Sequence, residues 1–301
     1  MDQLKLFIRL SRPLFLLGGI LLYALGAGIG RYLGTPIDWG LYFLGQGWVT
    51  FMQLSTHYLN EYFNSPADLS NPNRTPFTGG SGAIGPGKLT RSTALYAAIV
   101  CLTFVASSTV LLIRYAPLSP AAVFVMVLIF LGAFFYSVPP IQLEASGYGE
   151  LTTSILVANL VPAFALLIQT GELHRLLAMS TFPLTLLHLA MLLAFNLPDY
   201  ATDLKFEKNN MLVRVGWEMG MRLHNFLIVG AYLLLGLAIF LGLPAPIALP
   251  AFLSLPLGVL QVFQMNRIAA GAKPNWVTVT LAALTTFAGT AYLITFSFWS
   301  R

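Results

Sequence analysis

The chain has 301 residues, of which 57% are hydrophobic and only 9% are charged. A soluble protein of this length carries roughly a quarter charged residues, so the composition excludes a water-soluble globular fold and points to a lipid bilayer. The formal net charge is +5, and its distribution along the chain, described below, accounts for it without a nucleic-acid partner.

About 20 consecutive apolar residues span a bilayer. Nine such runs occur in chain order: Leu14–Leu33, Trp39–Leu59, Thr93–Ile113, Ala121–Val138, Leu151–Thr170, Leu177–Leu197, Phe226–Leu243, Ile247–Met265 and Val277–Trp299. Leu243-Pro244-Ala245-Pro246 is a thin divider, and fusing the runs on either side of it gives eight. Lys5, Arg9 and Arg12 precede the first run as the basic region of a signal peptide would. That run is long enough to span and Ala24-Leu25-Gly26 is a weak cleavage site, so it reads as an uncleaved first span. Within it, Gly26-x-x-x-Gly30 lets a second helix approach closely. The single cysteine, Cys101, lies inside an apolar run. An internal disulfide is therefore excluded, and the thiol reads as a small packing residue.

Cytoplasmic loops of membrane proteins collect Lys and Arg. With the N-terminus in the cytoplasm, that side holds every Lys and Arg of the 16 except Arg31, Arg114, Arg175 and Arg301. Two connections on that side are long, Asn60–Ser92 and Pro198–Asn225, and long connections in compact proteins are usually functional. No linker divides the chain, which reads as one all-α integral membrane domain over residues 1–301.

The chain holds only 11 acidic residues, and four of them, Glu61, Asp68, Asp199 and Asp203, fall in two short stretches where apolar runs end. The first stretch reads Asn60-Glu61-Tyr62-Phe63-Asn64-Ser65-Pro66-Ala67-Asp68. The second reads Asn196-Leu197-Pro198-Asp199-Tyr200-Ala201-Thr202-Asp203. Asn60, Asn64 and Asp68 are spaced by four, as are Asp199 and Asp203, and on a helix that spacing points side chains to one face. Oxygen ligands converging at a membrane boundary suit a hard divalent cation, which in turn holds a diphosphate. The bland alternative is a pair of solvated helix ends. Carboxylates at C-terminal ends oppose the helix dipole, so that alternative gains nothing from their placement.

Other motifs are less specific. Gly82-Ala83-Ile84-Gly85-Pro86-Gly87-Lys88 fits G-x-x-x-x-G-K, but Leu89 replaces the required Ser or Thr, Pro86 lacks an N–H and no strand precedes it. It reads as a flexible turn or a flap over the site. Tyr136-Ser137-Val138-Pro139-Pro140 ends the fourth run, where a proline-terminated helix with an interfacial tyrosine is the plain reading. His57 lies one turn before Asn60 and reads first as a satisfied core histidine.

Together these residues resemble the UbiA superfamily of intramembrane aromatic prenyltransferases. Its first motif, roughly N-D-x-x-D-x-x-x-D, is similar to Asn60, Glu61, Asn64 and Asp68, and its second, D-x-x-x-D, to Asp199 and Asp203. Arg12-Pro13, Asn73 to Gly80, Tyr136 to Pro140 with Gly147 to Glu150, and Asn196 to Lys208 with Val213 to Gly216 extend the resemblance over most of the chain. The resemblance implies nine transmembrane helices around a central cavity and a site that faces the cytoplasm. It implies Mg2+ held by Asn60, Glu61, Asn64, Asp68, Asp199 and Asp203, bridging to an allylic polyprenyl diphosphate. Arg74, Lys208 and Arg12 would stabilise the departing diphosphate, and Tyr136 and Ser137, with Asn60, would contact substrate.

The aromatic acceptor closest in pattern is 1,4-dihydroxy-2-naphthoate, the menaquinone branch; 4-hydroxybenzoate, homogentisate and chlorophyllide stay open. A transporter or other non-catalytic protein on the same scaffold also stays open, although it would need a polar path to the outer side, where the loops are short and poor in charge. Three positions depart from the pattern, the mildest being Glu61 in place of the usual Asp. Asn64 replaces a metal-binding Asp and removes one negative charge, and Glu207 stands where members of the menaquinone branch often have Gly.

Overall fold

A computed structural model describes residues 3–301, and for residues 65–70 the backbone alone. Among the described residues the chain is helical, with one isolated bridge between Ile84 and Leu89 and no strand. An interfacial helix α1 (Gln3–Leu10) precedes α2 (Pro13–Tyr32), α3 (Trp39–Ser70), α4 (Arg91–Tyr115) and α5 (Pro120–Phe134). Next come α6 (Gly149–Thr170), α7 (Arg175–Asn196), two short helices α8 (Tyr200–Lys205) and α9 (Met211–Val215), then α10 (Trp217–Phe240), α11 (Ala245–Ala269) and α12 (Trp276–Trp299). Among the described residues, seven helices (α2, α4, α6, α7, α10, α11 and α12) are long and apolar enough to cross a bilayer. Helix α3 has 32 residues and α5 has 15.

The apolar runs fix these helices, and their edges follow ordinary capping chemistry. The Thr90 side chain accepts from the Thr93 N–H at the start of α4, and that of Ser119 accepts from the Ala122 N–H before Pro120 starts α5. Both satisfy N–H groups that the first turn leaves unpaired. The thin divider at Leu243–Pro246 is a true break, with Gly242 in the left-handed region (φ 107°) and a new helix from Ala245. One expected boundary moves. The first long connection is expected from Asn60, but α3 continues through it to Ser70, so the first cluster sits on helix rather than loop.

The first and last long helices pack on each other, which closes the bundle. Trp299 Nε1 donates to Ala24 O (2.8 Å), and a Cβ on Gly28 would stand 2.7 Å from Trp299 Nε1. On another face of α2, a Cβ on Gly26 would stand 2.0 Å from the Pro162 carbonyl oxygen of α6. Gly30 faces Thr170 on the same helix. The Gly-x-x-x-Gly pair therefore does what its spacing predicts, setting α2 and α6 at backbone contact. Pairs α3–α4, α7–α10 and α7–α12 complete the packing.

The end of the bundle that carries the acidic clusters is capped by polar connections. Residues 82–89 are neither a phosphate loop nor a loose flap. Leu89 N–H donates to Ala83 O (3.1 Å) and Lys88 Nζ donates to Gly82 O (2.9 Å). Ala83, Ile84 and Leu89 are buried with Leu6 and Leu10 of α1 and Tyr58 of α3. The turn thus ties the interfacial helix to the bundle.

Candidate active site

Asn60 and Asn64 share one face of α3, and that face meets a residue to which the sequence analysis gives no role. The connection after α5 folds back on its own helix, with Leu143 N–H donating to Phe135 O and Glu144 N–H to Tyr136 O (both 3.0 Å). Gly149 lets it lie close, since a Cβ there would stand 2.7 Å from Glu144 Cα. The fold-back brings the Glu144 side chain, 3% exposed, against α3. Asn60 Nδ2 and Asn64 Nδ2 each donate to Glu144 Oε2 at 2.5 Å. Lys208 Nζ stands 3.9 Å from the same oxygen. Ser137 is fully buried beside them and accepts from Asn60 Nδ2 at 3.3 Å. Burial pushes the Glu144 carboxyl above the usual carboxylate range, against the opposing pull of Lys208 and the Asn64 amide.

The second cluster starts a new helix instead of ending a long one. Asp199 precedes α8 and Asp203 lies in its first turn, with Asp203 N–H donating to Asp199 O (2.8 Å). Acids at a helix start are favoured by the dipole that opposes them at a helix end. Asp199 holds the loop after α3: Asn71 Nδ2 donates to its Oδ1 (2.6 Å) and the Gly79 N–H to its Oδ2 (3.1 Å). Asp203 is buried and accepts from Asn210 Nδ2 (2.6 Å), and burial raises its carboxyl while Lys208 lowers it. The Lys208 N–H returns to Asp203 O (2.9 Å). A continuous set of contacts therefore runs from Asn64 through Glu144 and Lys208 to Asp203.

Glu61 faces another direction. Its Oε1 accepts from Arg12 Nη2 and from the Ser81 N–H, both at 2.5 Å. This pairs the buried acid, joins the N-terminal segment to the glycine-rich loop, and leaves that oxygen turned from Glu144's amides. Arg12 itself sits in the left-handed region (φ 48°) between α1 and α2. The other two non-glycine residues at positive φ, Gln142 and Glu207, lie in the connections that carry Glu144 and Lys208. Arg74 Nη2 donates to Gly80 O (3.0 Å), and its guanidinium fills the space that a Cβ on Gly82 would take. Arg9, Arg12, Arg74, Phe15, Phe77 and Ser81 line part of a cavity of about 560 Å3. Its link to the first cluster is through Arg12 and Ser81, which contact Glu61; Asn60, Asn64, Glu144, Asp199 and Asp203 do not line it. The Asp68 side chain lies outside the described residues.

Sequence reasoning missed three participants. Glu144 and Glu150 are buried acids, and Glu150 Oε1 accepts from Asn196 Nδ2 (2.6 Å) and the Met211 N–H (3.0 Å). Asn210 is the third. In a chain so poor in acid, two glutamates soon after Tyr136-Ser137 mark that connection, though not where their side chains lie. His57 is a satisfied packing residue, its Nδ1 3.2 Å from Ser11 O.

Among the described residues, no three His, Cys, Asp or Glu side chains form a ready metal cage. The donor set is nevertheless hard oxygen, carboxylate and amide. Glu144 Oε1 and Glu150 Oε2 are buried acceptors with no hydrogen-bond partner, which is costly unless a cation or polar ligand meets them. The residues fit an oxygen-seeking divalent ion.

Comparison with known proteins agrees with the architecture. A homologue from Archaeoglobus fulgidus, solved with GPP and Mg2+, superposes with a TM-score of 0.72 at 18% identity, covering 98% of each chain. A homologue from Aeropyrum pernix K1 gives 0.62 at 13% identity, covering 92% of this chain and 95% of the other. A digeranylgeranylglyceryl phosphate synthase gives 0.59 at 16% identity, covering 100% and 98%. At such identities these likenesses show the fold. No curated protein matches the sequence. Residues 20–274 match the profile of the UbiA prenyltransferase family, and the chain belongs to that family.

Proposed function

We propose that this protein transfers a prenyl group from an allylic polyprenyl diphosphate to an aromatic acceptor, and that the acceptor is 1,4-dihydroxy-2-naphthoate in menaquinone biosynthesis. The observation that carries the reading is the Asn64–Glu144–Lys208 bridge between the two acidic clusters. Homologues solved with GPP or DMAPP together with Mg2+ support the donor class, and family membership supports the reaction. The acceptor rests on the pattern of Tyr148-Gly149-Glu150 and Asp199 to Gly216.

Asn60, Asn64, Asp68, Asp199 and Asp203 would hold Mg2+. When bound, the ion supplies positive charge that stabilises the departing diphosphate. Lys208 and Arg74 add fixed positive charge where negative charge develops. Glu61 holds Arg12 in place through their ion pair, and Arg12 lines the cavity beside the first cluster. The C1–O bond breaks with its electron pair leaving on the diphosphate. A carbon–carbon bond forms from the ring to C1, and the ring carbon then loses its proton to water. Tyr136 and Ser137 contact the acceptor, and the prenyl tail lies among apolar helices.

The protein on this reading is one domain of nine spans in the cell membrane, the inner one if bacterial. Its N-terminus and site face the cytoplasm, as the Lys and Arg distribution supports. Purified protein given an allylic diphosphate, Mg2+ and a panel of aromatic acceptors tests it. Prenylated 1,4-dihydroxy-2-naphthoate is the expected product. Product from another acceptor would move the substrate and keep the reaction, whereas no product from any would leave a transporter or binding protein.

A further inference from the structure

Position 64 is neutral, and a buried carboxylate stands against it from 80 residues away. A carboxylate accepts and never donates, so it must receive the amide N–H groups of Asn60 and Asn64. Both amides are thereby oriented with nitrogen toward Glu144 and oxygen away from it. Glu144 Oε2 is used in this way, but Oε1 is buried and has no hydrogen-bond partner. Lys208 approaches Oε2, at ion-pair rather than hydrogen-bond distance. A side chain 97% buried with one oxygen unmatched is costly as a purely structural element. It makes sense as half of a pair whose other half is a ligand.

We propose that Glu144 supplies to the cation site the negative charge that Asn64 lacks: Oε2 sets the Asn64 amide with its oxygen toward the ion, and Oε1 is itself a ligand, while the Asn60 oxygen faces Arg12 Nη2 at 3.4 Å. The charge is relocated from helix α3 to the connection after α5. The inference rests on the divalent-cation site of the proposed function and adds a residue to it.

Binding of Mn2+ alone, followed by electron paramagnetic resonance on the purified full-length protein without substrate, tests it. E144Q keeps the shape and loses the charge, and its Mn2+ affinity should fall by about tenfold or more, the scale seen when groups around a metal are changed. N64D placed in the E144Q background should recover most of that loss. An E144Q protein within about twofold of the parent overturns the proposal, and so does a loss that N64D leaves unrepaired. Melting without metal shows whether E144Q folds. If it does not, the N64D/E144Q double variant decides: Mn2+ binding within about threefold of the parent supports the relocated charge, and weaker binding overturns it. Prenyl transfer measured in parallel separates the two readings. A Glu144-dependent Mn2+ site without transfer sinks only the function, and transfer with a Glu144-independent site sinks only this inference.

Discussion

At the scale of single residues, the site is a set of pairings that substitutions separate. Asp199 holds Asn71 and the Gly79 N–H. Asp199→Ala and Asp68→Ala should each lower turnover by at least about 100-fold, since each removes a charged oxygen from a metal-assisted reaction. Circular dichroism should show the helices retained. Activity within tenfold of the parent in either variant would remove that residue from the machinery. Asn64→Asp made together with Glu144→Gln returns the charge to α3, and the Mg2+ concentration for half-maximal rate should fall below that of Glu144→Gln alone. An unchanged or raised requirement would mean that position 64 is not a ligand. Glu207 is exposed and left-handed (φ 54°). That conformation costs a side-chain residue roughly 1–2 kcal/mol, and glycine gives back about 0.5–1 kcal/mol through its greater unfolded freedom. Glu207→Gly should therefore raise the melting temperature slightly, by about 1–3 °C. A lower melting temperature would show that the Glu207 side chain makes a contact the fold needs.

Elements explain which of these residues could be read in advance. The long helices follow from hydropathy, because a bilayer admits few other backbones. The spacing of four puts Asn60 and Asn64 on one face of α3, where both meet Glu144, whereas Asp199 stands just before α8 and Asp203 in its first turn. The position of Glu144 was not legible. Its partners come from a helix 80 residues earlier, and nothing local signals that the connection folds back. The roles within the first cluster also diverge for tertiary reasons. Glu61 is adjacent in sequence to Asn60, yet on a helix neighbours point about 100° apart, so Arg12 Nη2 reaches both but Asn60 alone of the two meets Glu144. The glycine-rich turn looks mobile by composition but is pinned by Ala83, Ile84 and Leu89 against α1. The fold-back itself depends on Gly149. Gly149→Val would drive a side chain into the Glu144 backbone, and overpacking of this kind costs about 1–3 kcal/mol. The variant should melt lower and bind Mn2+ more weakly than Gly132→Ala, which presses only on Leu156 side-chain atoms. Equal metal binding in the two would show that Glu144 does not need this approach.

Over the whole molecule, contact between α2 and α12 closes the bundle, and the polar chemistry gathers at one end. Buried Glu61, Glu144, Glu150 and Asp203 lie there with Arg12 and Lys208. Buried charge without partners is strongly destabilising, so the end of the bundle is organised around matching these acids with cations, amides and backbone N–H groups. Two carboxylate oxygens are left unmatched. That unmatched charge is where a divalent ion and a diphosphate would act. Prenyl transfer by the purified wild-type protein, measured before and after complete chelation of divalent ions and again after Mg2+ is restored, tests this most directly. Transfer should vanish on chelation and return with Mg2+; transfer that persists through chelation would contradict the account.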